Sequence, residues 1–361
     1  MARNIDVAFK FGCGRYIQQE NAIENNLYNE LKNLGTKVLF VAGSNGYKVA
    51  IDKIKKAIDN TDIKYEVRMF SSVPCFENAE EIAKQVTENK FEIVCSVGGG
   101  VIGDIVKLVA EITGASIMHI PTSSATCVAA TPLSITYDKD TRAFKGGYIC
   151  KREADAVIVD TTIMINQPAR LFWAGIVDSK AKVIEIQHYF MGGKSVPMGL
   201  EMALLVSKEI NKFYEQNMNK VAKAINERKI TKTFETALFY SIAVTGIISG
   251  LSKNSSQTAL AHAFYYEVRT SFIKEAKDYL HGEIVGVGLI VQLAFNNLDY
   301  KEIQNLLKEM NLPVCLSDIG IEPDEQNINR LVERLYEIGN VDTSDENALD
   351  KLKNAIMLIA K

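Results

Sequence analysis

The spacing of hydrophobic and polar residues divides the chain into two halves with different periodicities. Up to about residue 160, short runs rich in β-branched residues alternate with stretches of helical period, which is typical of a parallel sheet with crossover helices. This pattern predicts strands at residues 37–41, 65–70, 92–97, 116–120 and 156–159 and helices at residues 48–58, 79–87 and 102–113. Gly35 occupies the position of a helix C-cap.

Beyond residue 163 the β-branched runs stop and long helical patterns take over. Helices are predicted at residues 168–189, 199–215, 231–249, 257–270, 282–297, 300–310 and 327–338. We therefore expect an α/β domain at residues 1–163 and an all-α domain at residues 164–361. Ligands of such proteins commonly bind between the two halves, at the carboxyl ends of the sheet strands.

Composition narrows the possible functions. The 361 residues are 47% hydrophobic and 24% charged, which is ordinary for a globular protein, and the net charge of -3 with no basic stripe argues against nucleic-acid binding. The N-terminus lacks a secretory pattern and no apolar run reaches membrane-spanning length, so we expect a cytoplasmic protein without a membrane partner. The six cysteines form no C-x-x-C pair, which indicates reduced thiols and no structural zinc site among them.

The three consecutive glycines Gly98, Gly99 and Gly100 follow an apolar run and precede a helical pattern. They are expected to form a strand-to-helix turn, where backbone N–H groups can approach an anion and the helix N-terminus adds partial positive charge. A pyrophosphate is a plausible ligand for such a turn. A tight turn without any ligand is the alternative.

The chain has only four histidines, and two of them have surroundings that suit metal binding. His119 lies in an apolar run and is interpreted as a hydrogen-bonded core residue, while His188 is placed to interact with the C-terminal dipole of its helix. Small residues surround His262, and His281 opens a helix in which Gly282 permits close backbone packing. Two adjacent helices could bring these last two imidazoles together.

Asp178 is the best candidate for a carboxylate beside the two imidazoles, because small residues flank it on its helix face. The alternative is an ordinary surface ion pair with Lys182, four residues on. One carboxylate and two imidazoles give a divalent metal three protein ligands and leave positions open for substrate, an arrangement typical of catalytic zinc and also suited to iron(II).

Together these residues resemble the iron-containing alcohol dehydrogenase superfamily, most closely its glycerol and glycerol-1-phosphate dehydrogenase branches. The resemblance extends over nearly the whole chain, and its motifs are weak singly but specific in order and spacing. They are residues 98–104 (Gly-Gly-Gly-Val-Ile-Gly-Asp), 121–126 (Pro-Thr-Ser-Ser-Ala-Thr), 159–161 (Val-Asp-Thr), 168–170 (Pro-Ala-Arg), 174–178 (Ala-Gly-Ile-Val-Asp), 261–262 (Ala-His) and 281–283 (His-Gly-Glu).

The resemblance implies a Rossmann-like nucleotide-binding domain followed by a helical metal domain, which is the dehydroquinate synthase-like fold. It implies that Asp178, His262 and His281 are catalytic and hold one divalent metal, expected to be zinc, with iron or nickel as alternatives. It also implies a set of residues that bind NAD or NADP: Gly98, Gly99, Gly100, Val101, Asp104, Thr122, Ser123 and Thr126.

The chain departs from the family pattern at three positions. Cys127 stands where polyol-oxidising relatives carry an aspartate close to the substrate, which puts the identity of the substrate in doubt. Gly43 replaces an acidic residue that glycerol dehydrogenases tend to use for the adenosine ribose, so charge repulsion does not exclude NADP. Val101 replaces a polar residue usual after the glycines.

A polar segment at residues 252–258 raises the possibility of a phosphorylated substrate. Lys253 and Ser256 would be substrate residues if a phosphate bound at the N-terminus of the His262 helix. Simple N-capping by Ser255 or Ser256 is the alternative interpretation, and the one that the residues themselves favour.

The resulting prediction is a metal-dependent, NAD(P)-linked alcohol dehydrogenase that interconverts a small polyol and its ketone, with glycerol and dihydroxyacetone as the expected pair. The alternatives are an sn-glycerol-1-phosphate dehydrogenase acting on dihydroxyacetone phosphate, a dehydroquinate synthase-like lyase and a nucleotide-binding protein without catalysis. Lyases of that type use a glutamate with two histidines and many basic residues, against which Asp178 argues. A homo-oligomer is expected.

Overall fold

A computed structural model describes residues 10–191, 198–252 and 259–360. Six parallel strands form one sheet in the order β1-β8-β5-β4-β2-β3, and β6 and β7 form a separate antiparallel hairpin. The strands are β1 Arg15–Gln19, β2 Lys37–Ala42, β3 Lys64–Met69, β4 Ile93–Gly98, β5 Ser116–Pro121, β6 Leu133–Tyr137, β7 Phe144–Ile149 and β8 Ala156–Asp160.

Four helices accompany the sheet: α1 Ala22–Leu34, α2 Ser44–Ile58, α3 Phe76–Glu88 and α4 Gly100–Thr113. Strands β4 and β8 are buried along their whole length, as expected for a parallel sheet covered on both faces. The five predicted strands and three predicted helices are present, and Gly35 is the C-cap of α1. The sequence pattern missed β1, because this edge strand is largely polar, and it also missed α1 and the hairpin.

The described residues after 160 are helical and contain no strand. The helices are α5 Thr161–Met164, α6 Ala169–Met191, α7 Met198–Asn226, α8 Lys232–Phe239, α9 Thr245–Leu251, α10 Leu260–Ser271, α11 His281–Phe295, α12 Lys301–Glu309, α13 Glu325–Ile338 and α14 Ala348–Met357. The single helix predicted at residues 231–249 is instead interrupted by a π-helical turn at Tyr240–Val244. Helix α14 was not predicted. The last strand ends at Asp160, and the division into domains at residues 163 and 164 stays a prediction.

Helices α6, α10 and α11 pack against one another and form the centre of the helical half. Close packing depends on glycine, because a Cβ on Gly282 would lie 2.0 Å from the carbonyl oxygen of Ala174 in α6. A Cβ on Gly288 would lie 2.7 Å from the carbonyl oxygen of Ala261 in α10. The predicted role of Gly282 in close backbone packing is thus confirmed.

One helical stretch is an exception to the expectation that no apolar run reaches membrane-spanning length. The 20-residue stretch Lys232–Leu251 contains an 18-residue window with a mean hydropathy of 1.4, enough by length and composition to cross a membrane. Since 72% of the apolar window is buried inside the fold, the stretch has the properties of a core helix.

Candidate functional site

A cleft of about 1090 Å³ begins at the carboxyl ends of the sheet strands and extends to the helical half. It brings together every predicted site residue that the structure describes. These residues are Gly98, Gly99, Gly100, Val101, Asp104, Thr122, Ser123, Thr126, Cys127, Asp178, His262 and His281. The predicted substrate residues Lys253 and Ser256 lie outside the described residues.

The predicted strand-to-helix turn forms one end of the cleft, which we name the glycine end. Strand β4 ends at Gly98, Gly99 is the N-cap, and α4 begins at Gly100. Side chains are excluded nearby, because a Cβ on Gly46 of α2 would lie 2.6 Å from the carbonyl oxygen of Val97. Helices α2 and α4 therefore both begin beside the turn, with their partial positive charges toward the cleft.

Asp104 lines the cleft and also forms an ion pair that was not predicted from the sequence. The Lys107 ammonium lies 3.2 Å from Asp104 Oδ1, and both side chains are buried. Burial raises the pKa of Asp104 to about 6, although Lys107 opposes this shift. Lys107 also donates to the carbonyl oxygens of Val128 and Thr131, at 3.1 Å and 3.2 Å. This buried pair therefore ties α4 to the segment before the hairpin.

At the other end, which we name the histidine end, Asp178, His262 and His281 project from three helices, α6, α10 and α11. One ligand atom from each residue lies within 4.8 Å of the others. Asp178 Oδ1 lies 3.3 Å from His281 Nε2 and 3.5 Å from His262 Nε2. This oxygen is buried and has no hydrogen-bond partner among the described residues, so the cluster offers a cation a carboxylate oxygen that these residues leave unsatisfied.

Glu185 fixes the orientation of the His262 ring. One carboxylate oxygen accepts a hydrogen bond from His262 Nδ1, and the other accepts from the backbone N–H groups of Ala259 and His262 at 2.7 Å and 2.9 Å. Burial opposes ionisation, but the neighbouring His262 lowers the pKa of Glu185 and keeps it anionic. A carboxylate on Nδ1 leaves Nε2 as the nitrogen that could bind a metal.

The structure contradicts a surface pair between Asp178 and Lys182. Asp178 is only 3% exposed and Lys182 6%, and the Lys182 ammonium lies 3.6 Å from Asp178 Oδ1 and 2.9 Å from His262 Nε2. Burial opposes its ionisation, but Lys182 and His281 hold the pKa of Asp178 well below its ordinary value. Lys182 and Glu185 were missed as site residues, although positions 178, 182 and 185 follow the i, i+4, i+7 spacing of one helix face.

Cys127 is buried and lines the cleft, within electrostatic range of Asp178 and Lys182. Burial raises the pKa of this thiol to about 12, so the side chain is neutral. A carboxylate at this place would put a second negative charge beside Asp178, and the thiol does not.

The other two histidines take the places predicted for them. His119 is fully buried, and its Nδ1 lies 2.7 Å from the hydroxyl of Ser96. His188 lies in the last turn of α6, where it contacts Asn296 and the carbonyl oxygen of Asn340. Neither lines the cleft.

An ion pair between the exposed Arg170 and the buried Glu283 joins two of the sequence motifs. Arg170 donates hydrogen bonds from Nε and Nη2 to the two carboxylate oxygens of Glu283. Glu283 also accepts a hydrogen bond from the backbone N–H of Leu280 at 2.8 Å. Arg170 additionally donates to the carbonyl oxygen of Asp278 at 2.8 Å. These contacts hold the segment that leads into His281 against the start of α6.

Comparison with known proteins agrees with this arrangement. The family model for iron-containing alcohol dehydrogenases matches residues 13–161, which is the sheet half of the chain. A glycerol dehydrogenase of Escherichia coli is 27% identical, over 88% of this chain and 86% of its own length. A glycerol-1-phosphate dehydrogenase [NAD(P)+] of Methanobrevibacter smithii is 28% identical over 82% of this chain and 81% of its own.

The fold is shared with solved structures. A Sinorhizobium meliloti protein described as a probable glycerol dehydrogenase matches with a TM-score of 0.84 at 22% identity, covering 99% of this chain and 98% of that one. The expected fold, a parallel-sheet α/β part followed by a helical part, is thereby confirmed, and the named relatives support an alcohol dehydrogenase activity. The motif order, the family-model match to residues 13–161 and the relatives that cover most of the chain agree, and this chain is similar to the iron-containing alcohol dehydrogenase family.

Proposed function

We propose that the protein is a metal-dependent, NAD(P)-linked dehydrogenase that interconverts a small polyol and its ketone, with glycerol and dihydroxyacetone as the first pair to test. The observation that carries this proposal is that one continuous cleft has the glycine turn at one end and Asp178, His262 and His281 at the other. A nicotinamide nucleotide bound to the turn and a substrate bound beside the histidines would share that space.

The glycine end is the proposed nucleotide site. The N-termini of α2 and α4 would face the pyrophosphate, and the absence of side chains at the turn lets the backbone approach it. Thr122, Ser123 and Thr126 line the same part of the cleft and would add hydroxyl groups. Gly43, at the N-cap of α2, presents no carboxylate to a 2′-phosphate, so both NAD and NADP are candidates.

At the histidine end, Asp178, His262 and His281 would hold the metal. Glu185 keeps the Nε2 lone pair of His262 directed at the cluster, and the Tyr265 ring packs 4.2 Å from the His281 ring. The donor set suits zinc and also iron or nickel. We place zinc first because two imidazoles and one carboxylate form a common catalytic zinc set.

The chemistry follows from this arrangement. Asp178, His262 and His281 would hold a metal that supplies Lewis-acid polarisation of a substrate hydroxyl or carbonyl, and the glycine turn would hold a nicotinamide nucleotide that supplies redox chemistry at the substrate carbon. The protein contributes position, since the sheet half orients the nucleotide and the helical half orients the substrate. The buried walls of the cleft keep water away from the reacting carbon.

Dihydroxyacetone phosphate is a second candidate substrate. At the histidine end the neutral Cys127 adds no negative charge, and the buried Lys182 adds a positive charge that a phosphate would favour. The relatives also include glycerol-1-phosphate dehydrogenases. The lyase alternative has less support, because lyases of that type use many basic residues. Among the described residues, only Lys182 and Arg269 are basic residues that line the helical side of the cleft.

The decisive experiment follows oxidation of NADH and of NADPH by absorbance, with dihydroxyacetone and dihydroxyacetone phosphate as separate substrates. Metal-depleted protein is expected to be inactive and to regain activity with zinc, iron(II) or nickel. Faster turnover of the phosphate ester would favour the second candidate substrate. Tight nucleotide binding without turnover of either ketone, in metal-loaded protein, would contradict the proposal and favour a non-catalytic nucleotide-binding protein.

A further inference from the structure

Lys182 contacts the same two atoms that the proposed metal needs. Its ammonium lies 2.9 Å from His262 Nε2 and 3.6 Å from Asp178 Oδ1, inside the cluster on the helical side of the cleft. The side chain is 6% exposed, so water screens its charge little. A positive charge is therefore already present at the place where a metal would bind.

The ammonium and a metal compete for one lone pair. Because His262 Nδ1 donates to Glu185, only the Nε2 lone pair faces the cluster, and in this structure it accepts a hydrogen bond from Lys182. The same lone pair would bond to a metal. Two cations cannot share this small buried space without strong repulsion.

We propose that Lys182 is an internal cation that holds the metal-free centre together and has to leave its position for a metal to bind. Lys182 would thereby set the metal affinity of the site. The inference rests on the proposed function only in taking Asp178, His262 and His281 as the metal ligands. Since Lys182 lines the cleft, its ammonium has open space to move into when displaced.

A neighbouring lysine provides a matched control. Lys180 lies on the same helix and is also buried, but its ammonium donates to Asn211 Oδ1 at 2.8 Å and does not contact the cluster. A lysine that serves only packing or solubility of α6 would behave like Lys180. The proposal requires the two positions to differ.

The test measures the Zn²⁺ affinity of metal-depleted protein by competition with a chromophoric chelator. We expect Lys182→Met to bind Zn²⁺ more tightly than wild type by about 5- to 150-fold, the usual range for coupling between two competing interactions. Lys180→Met should stay within about twofold of wild type. Equal affinities for Lys182→Met and wild type, or weaker binding by the variant, would overturn the proposal.

Thermal unfolding separates this role from a purely structural one. Without metal, Lys182→Met should unfold at a lower temperature than wild type, because Asp178 loses its buried counter-charge. With saturating Zn²⁺, the upward shift in Tm should be larger for the variant than for wild type, since tighter binding stabilises the folded state more. If Lys182→Met lowers the Tm by the same amount with and without Zn²⁺, competition between Lys182 and the metal is contradicted. Lys182→Gln gives the same readouts if the methionine variant does not fold.

A third variant distinguishes failure of this inference from failure of the proposed function. His281→Ala should lose Zn²⁺ binding whether or not Lys182 competes, because it removes a ligand. If wild type and His281→Ala bind Zn²⁺ alike, the proposed metal site is wrong and the inference fails with it. If only His281→Ala loses binding and Lys182→Met matches wild type, the site stands and the competition is refuted.

Discussion

The two ends of the cleft are built in opposite ways. The glycine end comes from three consecutive residues, Gly98 to Gly100, whose function depends on having no side chains. The histidine end comes from side chains on three separate helices, and Asp178 and His262 are 84 residues apart in the sequence. One end is a local backbone feature, and the other exists only when α6, α10 and α11 pack together.

This difference determines how each end should respond to mutation. At the glycine end an added side chain should weaken binding while leaving the histidine end intact. At the histidine end a lost side chain should abolish the chemistry while leaving the nucleotide site intact. The first and last predictions below therefore measure both ends of the cleft.

The largest effect is expected for Asp178→Asn. A neutral amide is a poorer metal ligand, and Lewis-acid catalysis contributes several kcal/mol, so kcat should fall by at least about 10³-fold. The dissociation constant for NAD(P) should stay within about twofold of wild type. Steady-state kinetics and nucleotide fluorescence titration measure the two quantities, and a parallel loss of nucleotide binding would show that the ends are not independent.

An intermediate effect is expected for Glu185→Gln. The carboxylate accepts three hydrogen bonds around His262 without touching the other two candidate ligands, and loss of such a partner typically lowers metal affinity or activity by about 10- to 100-fold. Chelator competition and kcat/KM measure the effect. A variant with unchanged metal affinity would show that helix packing alone orients His262.

The smallest effect is expected for Gly99→Ala. A Cβ at this position would have only Ser123 Cβ nearby, at 3.8 Å, so the fold should tolerate it. Because it lines the cleft beside the turn, it should hinder backbone contact with the nucleotide and raise the KM for NAD(P) on the order of 10-fold. Metal affinity and Tm should be unchanged. A drop in kcat with unchanged KM would argue against nucleotide binding at the turn.

The same difference explains what could be predicted from sequence. The strand before Gly98 and the helix after it follow local periodicity, so the strand-to-helix turn was predicted, and its role in nucleotide binding stays a prediction. Asp178 was found through its small neighbours and the family motifs, whereas spacing alone favoured a surface pair with Lys182. Burial reverses that interpretation, and burial depends on α10 and α11, which lie far along the chain.

Some features left no usable local signal. Strand β1 is polar and, in the part of the chain that the structure describes, pairs only with β8, so its strand character depends on a partner about 140 residues away. Helix α8 continues through a π-helical turn into α9, which hydrophobic periodicity does not distinguish from one uninterrupted helix. Glu185 follows the helical spacing of Asp178, but its role appears only with the backbone of the next helix in place.

The contact between Gly282 and Ala174 has a consequence for how such a protein can diverge. Any larger side chain at position 282 would push α6 and α11 apart and with them Asp178 and His281. Saturation mutagenesis should therefore find this position nearly invariant, while Val101, which is 48% exposed in the cleft, should accept many residues. The spacing of the proposed metal ligands is thus independent of side-chain changes at the glycine end, so a lineage could alter its nucleotide contacts without rebuilding its catalytic centre.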